Sequence, residues 1–73
     1  MNKKQFCSEL AKLLQKTEQH KDLAQLEYYK DKNGEEWVTP AWKTEEGGCF
    51  GKSICVTADS ETAIIKDVLK GIE

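Results

Sequence analysis

The interval between apolar residues changes twice along the chain, and each change marks a change of backbone geometry. Phe6, Leu10, Leu13 and Leu14 recur at three- and four-residue intervals with Cys7 and Ala11 beside them, the stripe of an amphipathic helix. From Ala24 the interval drops to two: Leu26 and Tyr28 fall on one side, Glu27 and Tyr29 on the other, as in a half-buried strand. Past Asp59 the helical interval returns in Ile64, Ile65, Val68, Leu69 and Ile72. A helix, an extended middle and a second helix are therefore expected.

Local signals place the boundaries. Asn2 can cap the first helix with Gln5 three residues on, and Met1 can staple to Phe6. The stripe fades after Thr17, and the polar stretch from Glu18 to Asp22 either frays the helix or connects it onward. Asp31-Lys32-Asn33-Gly34 supplies a hairpin turn, since Asn and Gly tolerate positive φ. A second strand runs from about Glu35 to Lys43, although Pro40 lacks a ladder donor and predicts an edge position or a bulge. Glu45-Glu46-Gly47-Gly48 forms the next turn. Cys49 to Thr57 reads as a third strand with Phe50, Ile54 and Val56 on one face, and Asp59 or Ser60 caps the last helix.

The expected fold is α+β, one domain of order α-β-β-β-α, with two helices on one face of a three-stranded antiparallel meander. At 73 residues the core is thin, so self-association is one route to stability. The helices would cover Leu26, Tyr28, Val38, Trp42, Phe50, Ile54 and Val56. By alternation Tyr29, Trp37, Thr39, Ser53, Cys55 and Thr57 would form the opposite, open face. Because Tyr and Trp so often anchor interfaces, Tyr29, Trp37, Thr39 and Ser53 are the candidate partner-binding residues. The same aromatics would equally serve a homodimer seam.

The chemical alternatives are weaker. Gly51-Lys52-Ser53 ends like a phosphate-binding loop, but the position five residues earlier, where the motif needs glycine, is Glu46, and strand follows where a helix should start. Three cysteines, Cys7, Cys49 and Cys55, contain no Cys-x-x-Cys pair, and about 20 Å of extended chain separates the last two. They read as buried, reduced thiols, and His20 as a solvated surface residue. With one histidine and too short a chain to enclose a pocket of several hundred cubic ångströms, no catalytic site, cofactor or metal is expected. A net charge of -2, with all eleven basic residues lysine, disfavours phosphate recognition. No membrane span and no signal peptide are evident, so a cytoplasmic location is expected.

Two resemblances add context. The α-β-β-β-α order is similar to that of the double-stranded-RNA-binding domain, which makes a nucleic-acid-associated regulator the alternative reading. That family grips phosphates with lysines at the start of its last helix, where this chain has Ser60-Glu61-Thr62 and no lysine before Lys66. The run Ile54-Cys55-Val56-Thr57-Ala58-Asp59-Ser60, with Ala63 to Leu69, resembles the last strand and helix of small phage and prophage proteins of Firmicutes. The Asn33-to-Val38 hairpin is similar in style. This resemblance implies a short protein that acts stoichiometrically on a host protein, such as an anti-defence inhibitor.

Overall fold

The computed structural model describes residues 2–58 and 60–73. Helix α1 spans Lys3–Leu14, and strands β1 (Leu23–Lys30), β2 (Glu36–Thr44), β3 (Gly47–Phe50) and β4 (Ile54–Cys55) precede helix α2 (Glu61–Ile72). The protein is α+β, and all strand pairings are antiparallel. Strand β2 is central. It pairs with β1 on one side and with β3 and then β4 on the other.

Each helix starts where a side chain satisfies an otherwise orphaned amide. Asn2 Oδ1 accepts from Gln5 N at 3.1 Å, and Ser60 Oγ accepts from Ala63 N at 3.2 Å, so Ser60 is the cap of α2. The proposed Met1 staple and the Asp59 cap lie outside the described residues. Helix α1 turns Cys7, Leu10, Ala11 and Leu14 inward, one face at intervals of three and four. Leu13, expected in that stripe, is 61% exposed, because it is rotated about 100° from Leu14 around the axis. The connector after α1 is a 3₁₀ turn, Glu18–His20, which buries His20 rather than leaving it in solvent.

The core joins the α1 face to Leu23 and Leu26 of β1, Val38 of β2, Val56, and Ile64 and Val68 of α2. Burying such aliphatic side chains contributes about 1.5–3 kcal/mol each. Phe6, Tyr28, Trp42, Ile54, Ile65, Leu69 and Ile72 pack around them. The expected covered face is thus present with one exception, Phe50.

That exception follows from the split of the third strand into β3 and β4. Ala41 lies opposite Phe50, and Val38 opposite Ile54. Three steps along β2 therefore match four steps along its neighbour. The extra residue inverts the side-chain alternation, so Phe50 and Ile54 face opposite sides of the sheet. Pro40 stands at this interruption: its carbonyl accepts from Gly51 N at 2.9 Å, and the donor it lacks is directed at the gap in the neighbouring strand. Proline is consequently tolerated in a central strand rather than confined to an edge.

Gly51 makes the interruption compact. A Cβ there would lie 2.6 and 2.9 Å from ring atoms of Trp42 and 3.1 Å from Pro40 Cγ. The indole packs directly on the glycine backbone. At the first hairpin, Asp31 N donates to Glu35 O and Gly34 N to Asp31 O, with Gly34 at φ +81°. This is a type I turn followed by a left-handed glycine, one residue longer than a two-residue hairpin.

Candidate functional site

The sheet face opposite the core brings together Tyr29, Trp37, Thr39 and Ser53. Tyr29 lies across from Trp37 on the β1–β2 ladder, and Trp37 lies across from Cys55 on β4, so the three share one face. Ser53, just before β4, is within 2.8 Å of Thr39 Oγ1 and 3.2 Å of Tyr29 Oη, forming a small hydroxyl network. Thr57 is tied to the adjacent edge by accepting from Glu36 N at 2.8 Å, and Cys55 Sγ donates to its hydroxyl at 3.4 Å.

Phe50 belongs to this face as well. It is 67% exposed, and Tyr29 is 41% exposed. Of the six aromatic residues, Phe6, Tyr28 and Trp42 pack against the core, whereas Tyr29, Trp37 and Phe50 do not. Ala41, beside Phe50, is buried yet outside the core cluster, a small residue shielded by larger neighbours on the open side. Simple alternation from Ile54 back to Phe50 predicts the wrong side. The signal that corrects it is Gly51-Lys52-Ser53, a glycine-led break within a run otherwise suited to strand.

Asp31, which composition alone marks as a turn residue, orients the indole. Its Oδ1 accepts from Asn33 N and Glu35 N at 2.9 and 3.0 Å, and its Oδ2 accepts from Trp37 Nε1 at 3.1 Å. The indole N–H, joined by those two amides, holds the Asp31 carboxyl below its usual range. Hairpin conformation and Trp37 orientation are coupled through one carboxylate.

On the helix side, Glu36 joins β2 to α1 and β1. Its carboxylate accepts from Lys3 Nζ at 2.7 Å and from Tyr28 Oη in a very short hydrogen bond. Lys3 and Glu36 side chains are only 12% and 17% exposed. Hydrogen bonding from Lys3, then from Tyr28, holds the Glu36 carboxyl down to about 2. The reciprocal effect pushes Tyr28 up to about 12, since its hydroxyl would have to ionise while bonded to a carboxylate. Lys3 Nζ also donates to Val56 O at 3.1 Å. This cluster closes α1 over the sheet and fixes the loop in which Ala58 takes φ +61°, a left-handed conformation that costs a non-glycine residue about 1–2 kcal/mol.

The thiols are not all alike. Cys7 is buried, and burial raises its pKa despite nearby Lys3. Cys49 and Cys55 are exposed, contrary to expectation, because β3 extends beyond the helices and Cys55 faces away from them. Among the described residues no group of three or more His, Cys, Asp or Glu is placed to hold a metal ion. The chain also forms an open, solvent-facing groove of about 660 Å³ between α1 and β1. Among the described residues no helix is long and apolar enough to cross a membrane. The chain matches no family model, no curated protein and no solved structure.

Proposed function

We propose that this protein is a non-enzymatic binding module that occupies a partner protein through the helix-free face of its sheet. Tyr29, Trp37 and Phe50 act as anchors, and Thr39 and Ser53 act as hydrogen-bonding neighbours. One observation carries the reading: half of the aromatic residues of a very small protein lie on the one sheet face that its helices leave bare. Burying these rings in its own core would have helped a domain of this size, so their placement outside it implies another use. Their type also fits, because interfaces draw most of their energy from a few aromatic anchors. The tether from Asp31 holds Trp37 in place and lowers the entropy lost on association.

The setting we propose is the cytoplasm of a Firmicute host, with a phage-derived protein blocking a host protein such as a defence factor. Affinity capture from a Firmicute lysate tests this, using wild type, Trp37→Ala, Phe50→Ser and, on the far side of the molecule, Leu13→Ser. A partner retained by wild type and Leu13→Ser but weakened roughly 30-fold in each aromatic variant is the expected result, as for loss of an anchor residue. Equal capture by all four proteins removes the face from the account. Sedimentation showing a dimer that dissociates in Trp37→Ala would instead make the face a seam between two copies.

A further inference from the structure

We propose that the groove between α1 and the outer edge of β1 receives an extended acidic peptide as an additional strand. Strand β1 pairs on one side only. Asp31 N bonds toward β2, whereas Ala24 O is turned outward to accept from Gln15 Nε2 at 2.8 Å. Antiparallel alternation then directs the amide and carbonyl groups of Leu26, Tyr28 and Lys30 to the outer edge. Among the described residues no backbone hydrogen bond from another element reaches them. Three residues in every-second-residue register, with free donors and acceptors, are the template used in strand addition.

The wall of the groove supplies the charge. Helix α1 runs antiparallel to β1, with Gln15 beside Ala24 at one end, while at the other Lys3 and Tyr28 bond the same Glu36 carboxylate. Lys4, Ser8 and Lys12 follow one another at four-residue intervals and line the groove. Among the described residues neither lysine takes part in an ion pair. Their backbones are about 12 Å apart along the helix, and two residues four apart on one face of an extended peptide are about 13 Å apart. Acidic side chains at that spacing match both lysines while the peptide backbone pairs with β1. Glu27 also borders the groove, but alternation places its side chain on the helix-free face with Tyr29. A second copy of this chain is a poorer occupant, since two-fold pairing of β1 edges would set one lysine row against the other.

The test is titration of ¹⁵N-labelled protein with two synthetic peptides of alternating valine and threonine. One carries two glutamates four residues apart on one face; the other carries lysines there. The glutamate peptide is expected to bind roughly tenfold more tightly. It should shift and slow the exchange of the Leu26, Tyr28 and Lys30 amides, and lose binding when its alternate amides are N-methylated. Lys4→Glu with Lys12→Glu, both exposed positions, should reverse the preference. Equal binding of the two peptides, no binding of either, or undiminished binding after N-methylation overturns the proposal. So do shifts confined to Trp37 and Phe50, which would point to the sheet face, and peptide-free shifts of the edge amides with protein concentration, which would show self-pairing.

Discussion

Replacing Gly51 with alanine probes the point at which the sheet inverts its alternation. Gly51 is not among the glycines with positive φ, so alanine fits its backbone. By chain entropy alone the change would stabilise the protein by about 0.4–1 kcal/mol. Packing opposes it. The new methyl would meet the Trp42 ring at 2.6 and 2.9 Å and Pro40 Cγ at 3.1 Å, well inside van der Waals contact. Pro40 is fully buried and cannot yield, so the half-buried Trp42 ring has to shift against the core residues it packs on. Overpacking of this kind costs about 1–3 kcal/mol, which set against that gain leaves a net loss of up to about 2.6 kcal/mol and about 1.3 kcal/mol at mid-range. In a domain of this length the mid-range loss lowers the melting temperature by roughly 5–10 °C. Thermal and urea unfolding followed by circular dichroism give the change. Tryptophan emission in a Trp37→Phe background reports on Trp42 alone and should shift as the ring is displaced. Unchanged or raised stability, with unaltered Trp42 emission, would refute the packing argument. Gly34→Ala is the control: no atom lies within 4 Å of its Cβ position, yet φ +81° makes it lose stability without moving Trp42.

Other expectations follow from the same contacts. Ser60→Ala removes the cap of α2 and should cost about 1 kcal/mol in urea unfolding. The Glu36 carboxyl titrates near 2 when folded against an ordinary 4.5, so its contribution is present above pH 4.5 and lost as pH falls toward 2. Glu36→Gln should flatten that acid limb in a pH series of unfolding curves. Asp31→Ala should release the Trp37 indole, read as increased mobility of its side-chain resonance, and should weaken capture of a partner as much as a direct contact mutation does. Phe50→Ser should leave stability within about 0.5 kcal/mol of wild type, because an exposed ring contributes little to the fold.

Most of the architecture was legible because period and capping agreed. Asn2, Ser60 and the Gly34 turn are local signals, and the structure uses them through contacts only a few residues long. The open face was legible as far as Tyr29, Trp37, Thr39 and Ser53, since strict alternation holds along β1 from Gln25 and along β2 opposite it. It failed at Phe50, where one extra residue in the β3–β4 segment reverses the faces. Nothing in Phe50 itself reveals this; Gly51-Lys52-Ser53 marks where the strand breaks, but that the break inserts one residue, and so reverses the faces, is exposed only by the pairing with β2. Leu13 misled for a different reason: Cys7, Leu10, Ala11 and Leu14 define the inward arc of α1, and Leu13, about 100° from Leu14 on the side away from Ala11, falls outside it. Asp31 was legible only as part of a turn and Glu36 only as the start of a strand, because their further roles depend on Trp37, Lys3 and Tyr28, brought in by folding. The exposed Cys49 and Cys55 show the limit of treating every cysteine as a small buried hydrophobe.

The proposed binding face requires Phe50 to share the open side with Tyr29 while Trp42 lies beneath the helices. Line broadening of aromatic side-chain resonances by a soluble nitroxide, measured on dilute protein, tests this directly. The predicted result is strong broadening of Phe50 and Tyr29 with Trp42 spared. Protection of Phe50 with broadening of Trp42 would mean that the alternation does not invert at Gly51, and the binding face as drawn would be wrong.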